Sequence, residues 1–310
     1  MPAPPSTAAH PESGPAGRAA GSAERCRPRL LVTTCTPPKE GVYLLDTATG
    51  AVQRVHHRPT RGITRGPDGY YFVEHRGGIF HLDLESGVVT PRLDTGQTGC
   101  HDLRWIRGEF YLVASYGNRV TRYDAGLRRI DELQLVPDEG DVCHPNCLID
   151  RNGELLLSIF TLSPGRREEK NNSEAWRTEG KILRLDWPAR RFEVLYEPLS
   201  QPHSLLPCGD RILCCESHHS TLVEVDLDAR RKRTVKRLHG FVRGLAIGPD
   251  ALYVGISREK RKTRRSWWER LQERFQLPCG LLELDPETFR VRARYPIPGA
   301  EVYDLLILDE

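Results

Sequence analysis

Six residues recur at equivalent positions of a repeated sequence pattern: Arg61, His101, His144, His203, Arg243 and Tyr303. Each opens a stretch that reads as apolar strand, turn and second apolar strand. These are RGITRGPDGYYFVEH, HDLRWIRGEFYLVAS, HPNCLIDRNGELLLSIF, QPHSLLPCGDRILCCES and RGLAIGPDALYVGIS; a last copy, YDLLIL, is cut short by the chain end. If the repeats surround an axis, three imidazoles from consecutive units aim at one point. Imidazole is a common neutral ligand of transition metals, and three of them leave positions open for water or substrate. The expectation is one metal ion on His101, His144 and His203, with Fe or Cu favoured and Mn or Zn as alternatives. The spacing of these histidines is no metal motif in itself. The plainer reading is three histidines hydrogen-bonded in a wet channel.

Arg61 and Arg243 open the units on either side of the histidine arc, where a guanidinium makes a rigid clamp for carboxylate or phosphate. Alternatively they are structural and pair with Asp304 or Glu301. Tyr303 completes the circle as a candidate general acid or base, or as a hydrogen-bonded channel residue. Trp176 and Arg177 are candidates for stacking on and charge-pairing with substrate, or for docking their own loop. Asn146, Asp102, Glu301, Asp304, His218 and His219 form a second rank that would orient or assist. Cys100 and Cys143 each precede a proposed ligand, as support or, less favoured, as a reactive pair.

These positions need a scaffold that brings sequence-distant strand starts together. Self-similarity at a period of about 40–50 residues marks solenoids and propellers. Short strands with turn residues at regular spacing indicate an all-β fold. After Arg29–Thr34, Gly41–Asp46 and Ala51–Val55, each unit offers four strands, the third ending in or near Asp. That is the grammar of a propeller blade. The C-terminal strand Val302–Leu308 supplies the first strand that the N-terminal three lack, so the expected fold is a six-bladed β-propeller closed by both termini. Residues 1–28 read as a disordered Pro/Ala/Gly-rich tail, and 29–310 as a single propeller. Two long insertions, about 161–180 and 258–278, interrupt connections between second and third strands and would lie over the channel mouth as lids. In the second, Trp267, Trp268, Leu271 and Phe275 fall on one helical face.

Composition narrows the function classes. A formal net charge of +3 does not by itself call for a nucleic-acid partner. The basic runs RRKRTVKR (230–237) and REKRKTRR (258–265) lack interleaved aromatic platforms, and the first reads as edge-strand protection. Nine cysteines cannot all pair, and several sit in apolar strands. This suits a reducing, cytoplasmic location. No apolar run approaches the ~18 residues needed to span a bilayer, and the N-terminus has no secretory core.

The segments CHPNCL (143–148), AWRTEGKILRLD (175–186), PHS (202–204), FVRGLAI (241–247), CGLLELD (279–285) and EVYDLLIL (301–308) resemble one bacterial family of uncharacterised β-propeller proteins. Its motifs His-x-Asn-Gly-Leu, Pro-His-Ser-Pro-Arg and Arg-Gly-Leu-Ala occur in this order. The chain departs from them at Cys147, where the family has Gly, and at Leu205-Leu206, where it has Pro-Arg. The resemblance implies a propeller and brings no activity. From the residues, the expected function is a metal-dependent enzyme, redox in type, acting on an anionic small molecule or modified peptide. Metal-assisted elimination or hydrolysis is the first alternative, and a non-enzymatic ligand-binding or protein-interaction propeller the second.

Overall fold

A computed structural model describes residues 27–137, 139–165, 173–257 and 279–308. Its strands, β1–β24 in chain order, form six antiparallel four-stranded sheets. Five blades are built from consecutive strands. The remaining one pairs β24 (Val302–Leu308) with β1 (Arg29–Thr34), so chain end and chain start share a sheet. We number this blade 1 and the others in chain order. The ring is thereby closed without a covalent link, and β1 is paired on both sides.

The second strands of the blades read as unbroken apolar runs because both of their faces are covered. Successive side chains of a strand point to opposite faces. In β9 (Glu109–Ala114), Phe110, Leu112 and Ala114 pack into the core shared with blade 2, while Tyr111 and Val113 pack toward blade 4. The same division repeats around the ring, giving six apolar clusters, one between each pair of neighbouring blades. The fourth strands face outward and are polar, as in β19 (Arg231–Arg237), where the first basic run lies on a sheet edge.

The core also accounts for the cysteines. Cys214 and Cys215 are neighbours in sequence but face different inter-blade clusters. Cys100 and Cys143 lie in the clusters on opposite sides of blade 3, so they do not form the reactive pair entertained above. Burial pushes the Cys100 and Cys147 thiols up to about 12, which leaves them protonated and inert.

The inner strands are β24, β4 (Thr60–Arg65), β8 (Cys100–Ile106), β12 (Leu148–Arg151), β16 (Pro202–Cys208) and β20 (Phe241–Ile247). Side chains plug the space between them. Asp304 accepts from the backbone N–H of Ile63 in blade 2 (3.1 Å), Asp102 from Leu148 in blade 4 (2.9 Å), and Ser204 from Gly244 in blade 6 (2.8 Å). Every second blade therefore hands one side-chain acceptor to the next. On their other side the receiving strands also approach the following blade closely. A Cβ on Gly62 would lie 2.4 Å from the Leu103 nitrogen, and Gly244 adopts φ +75° beside Asp304 and Leu305. Arg104 crosses the channel, pairing with Asp102 (3.0 Å) and Asp304 (2.9 Å) and donating to the Ile63 carbonyl (3.2 Å).

The first insertion returns through a short helix, α1 (Glu174–Thr178), capped by Ser173, whose hydroxyl accepts from the Trp176 N–H. The second, 258–278, lies outside the described residues, and with it Trp267, Trp268 and the second basic run. Among the described residues no helix is long and apolar enough to cross a membrane.

Candidate functional site

Backbone irregularities bring the six aligned residues toward the axis. Each of β4, β8, β16, β20 and β24 shows a break in pairing register within a residue or two of its aligned residue: Thr60/Ile63, Cys100/Asp102, His203/Leu205, Arg243/Leu245 and Val32/Thr34. A bulge bends a strand and re-aims a side chain. The blade 4 residue departs from this pattern. Strand β12 starts at Leu148, not at His144, because Pro145 has no N–H for the ladder. His144 instead occupies the preceding loop in a left-handed conformation, φ 49°.

The result is an aromatic chain across the channel. His101 lies between Tyr303 and His144, with ring centroids 5.8 and 4.5 Å away. Phe160 contacts both His144 (4.4 Å) and His203 (5.0 Å), and Phe241 follows His203. Trp176 of α1 is only 3% exposed and packs on His144 and Phe160. This sets α1 of the first insertion against His144. It also makes Trp176 part of the packing rather than an open stacking surface. The Arg177 carbonyl accepts from Ser200, which ties the helix down.

All three histidines hold the same ring nitrogen against protein acceptors. Asn146 gives its amide N–H to the His144 carbonyl (3.0 Å), which turns its oxygen to His101 Nδ1 at 2.9 Å. An amide oxygen only accepts, so Nδ1 of His101 carries the proton. The Tyr303 hydroxyl shares that N–H as an acceptor and keeps its own proton. His144 Nδ1 donates to the Asp141 carboxylate at 2.6 Å. His203 Nδ1 faces the Gln201 carbonyl (3.0 Å) and Ser217 Oγ (2.7 Å), and Ser217 spends its own proton on the Val242 carbonyl (2.6 Å). Neutral His101 and His203 are therefore Nδ1–H tautomers with the lone pair on Nε2. That of His203 is buried with no hydrogen-bond partner.

Electrostatics keep protons away from this cluster. Desolvation, with the charges of Arg61 and Arg243 adding to it, holds His101 and His203 well below the usual imidazole range. Burial pushes the Tyr303 phenol up, against the pull of the same two arginines. Both guanidiniums lie over the Tyr303 ring, 5.2 and 4.9 Å from its centroid. They differ in pairing. Arg243 meets Glu301 at 2.7 Å, while Arg61 donates to the Cys100 carbonyl (3.3 Å); Nε of each is buried without a partner.

The remaining candidates separate by position. Asn146 orients His101, as does Asp141 for His144; Asp141 has no place in the repeat and its role is visible only in space. Asp102 and Asp304 face Arg104 and backbone N–H groups, so they join blades. Burial pushes Asp304 up while Arg104 pulls it down. His218 and His219 are exposed on a turn, 5.4 Å apart. A void of about 10 Å³, lined by His101, His203 and Tyr303 among others, has room for about one water-sized occupant. Among the described residues, no three His, Cys, Asp or Glu side chains stand ready around one metal position.

A family model described as "Domain of unknown function (DUF4915)" matches residues 88–310. No curated protein matches the chain. A chain from the crystal structure of a nidogen/laminin complex superimposes with a TM-score of 0.63 at 12% identity, over 90% of this chain and 97% of that one. A protein of unknown function from Bacteroides caccae gives 0.64 at 11% identity, over 91% of this chain and 100% of that one. At such identities the likeness concerns the fold alone.

Proposed function

The chain belongs to that family of unknown function, so no activity comes with membership, and we propose from the channel itself that it is a metal-dependent enzyme acting on an anionic substrate. The observation that carries this reading is that His101, His144 and His203 each turn Nδ1 to a protein oxygen. Metal-binding imidazoles almost always donate their second ring N–H to a carboxylate, carbonyl or similar acceptor, which fixes the ring and leaves the other nitrogen for the ion. Lone pairs gathered in a buried place favour an electropositive partner, and the neighbouring arginines oppose a proton in that role.

His101 and His144 are the close pair, and Phe160 lies between His144 and His203; the three imidazoles would hold the ion. A bound transition metal would supply redox or Lewis-acid chemistry; Fe or Cu suits the first, Mn or Zn the second. Arg61, bonded to the Cys100 carbonyl, would anchor an anionic group of a small molecule or peptide. Tyr303, protonated beside it, would donate a hydrogen bond or a proton. The alternative is a metal-free ligand-binding channel, favoured by the same three rings standing without a shared metal position.

The test is elemental analysis of protein purified without a polyhistidine tag and reloaded separately with Fe(II), Cu, Mn and Zn. The reading expects about one ion per chain for one of these metals, falling sharply in His101→Ala and His203→Ala. Occupancy below about a tenth for all four, or unchanged by both substitutions, would leave the metal-free reading.

A further inference from the structure

Two residues before the Asp at or near the end of each third strand, five blades carry a polar side chain: His81, Arg122, Arg184, Glu224 and Glu283. Arg122 pairs with Glu109 (2.7 Å), Arg184 with Glu154 (2.7 Å), and Glu224 with Arg211 (3.0 Å) and Arg233. His81 lies 3.8 Å from Asp68. Glu283 differs. Its neighbours across the sheet are Tyr253 of β21 (Leu252–Ser257) and Ala293 of β23 (Val291–Pro296), whereas Glu224 stands opposite Arg233. Glu283 is 9% exposed, and among the described residues no Lys, Arg or His forms an ion pair with it. A buried carboxylate without an internal cation favours one from outside.

The short side chain of Ala293 also leaves space. A cavity of about 270 Å³ lies there, lined by Glu283, Tyr253, Ala293, Pro28 and Pro249, with the exposed Arg27 and Arg292 at its rim. This is just under the roughly 300–1,000 Å³ usual for ligand clefts and suits a small ligand. The cavity opens past the end of β20, at the face of the ring opposite the six aligned residues. Inside it, the Tyr295 hydroxyl donates to Glu283 (2.6 Å). Burial, and that hydrogen bond to Glu283, push the phenol up, so Tyr295 keeps its proton and the carboxylate remains an acceptor. At the rim, Arg292 is engaged by Asp285 and by the Asp250 carbonyl. Arg27 meets the Thr47 carbonyl at the long distance of 3.5 Å. The cavity thus has a negative floor and a positive mouth.

We propose that this cavity binds a free amino acid with a small apolar side chain, its ammonium on Glu283, its carboxylate on Arg27 and its side chain between Pro28, Pro249 and Ala293. The two charges of such a zwitterion match the floor and the mouth. An amine alone would meet Arg27 as a like charge, and a carboxylate alone would meet Glu283 as one. The site is separate from the channel, so it does not depend on a metal or on any reaction there.

The test is isothermal titration calorimetry of the full chain with free alanine, valine, leucine, isoleucine and proline. At least one should bind at a single site per chain. Analogues of the best binder that keep one charge (for valine, isobutylamine and isovalerate) should bind about tenfold more weakly or worse. Glu283→Gln keeps an acceptor for Tyr295 and removes the charge. It and Arg27→Gln should each weaken binding about tenfold or more, the loss of a hydrogen bond to a charged group. Ala293→Arg supplies the cation that blade 5 has and should abolish binding in a chain that circular dichroism shows to be folded. No binding by any of the five amino acids would overturn the proposal. So would a one-charge analogue as tight as the amino acid, or an affinity unchanged in Glu283→Gln and Ala293→Arg. Binding lost in His203→Ala but kept in Ala293→Arg would put the ligand in the channel and overturn it as well.

Discussion

Arg104 is the group on which channel and ring closure depend together, and replacing it with Met should show this. Its guanidinium joins β8 to β24 through Asp304 and to β4 through the Ile63 carbonyl, and it also holds Asp102. The two carboxylates have side-chain exposures of only 3% and 7%. Arg104→Met keeps much of the volume but leaves both carboxylates buried without a cation. Breaking a buried pair in this way costs about 3–5 kcal/mol, because the stranded charge keeps its desolvation penalty. At roughly 2–3 °C per kcal/mol for a domain of this size, melting should fall by about 6–15 °C. Differential scanning calorimetry at neutral pH reads this directly. The charge argument makes a further demand: adding Asp102→Asn and Asp304→Asn should restore at least half of the loss. Their amide oxygens still accept the Ile63 and Leu148 N–H groups. A single variant that melts within about 2 °C of the parent would refute the account. A triple variant no better than the single would do the same.

Deleting 302–310 removes the inner strand of blade 1 and exposes Leu30 and Val32 of β1, so the chain should aggregate on expression, read by sedimentation and far-UV circular dichroism. Trp176→Ala empties a packed position against His144 and Phe160 and should cost about 3–5 kcal/mol by urea unfolding; a loss under about 1 kcal/mol would make α1 a loosely held flap. Tyr123 bears on alkaline stability. Burial raises its phenol from 10.0 to about 12. The folded chain keeps that proton while the unfolded chain releases it, so the contribution is complete below pH 10 and is lost as pH rises toward 12. The parent should lose about 2–3 kcal/mol more than Tyr123→Phe between pH 10 and 12, measured by denaturant titration; parallel curves would show that Tyr123 titrates normally.

Much of the fold was legible because its signals are local. Apolar strands, turns and third strands ending near Asp recur along the chain, and a missing first strand at one end matches an extra one at the other. The alignment of Arg61, His101, His144, His203, Arg243 and Tyr303 follows from that repeat, and Trp176 of the first insertion packs on His144. The second insertion falls outside the described residues.

What the repeat leaves open depends on partners distant in sequence. Asp102 and Asp304 look like helpers of a metal, yet their carboxylates are engaged by Arg104 and by N–H groups of the next blade, because the bulges bring those backbones within 3.1 Å. Arg61 and Arg243 are equivalent by alignment and unequal in space, since Arg243 pairs with Glu301 while Arg61 donates to the Cys100 carbonyl. Asp141 and Phe160, which orient and flank His144, carry no mark in the chain because each acts through a loop or a strand end rather than through the repeat. Periodicity determines which side chains face a core or an axis. Only the packed ring decides which of them meet, since hydrogen bonds and ion pairs act over about 3 Å and depend on the closing of all six blades.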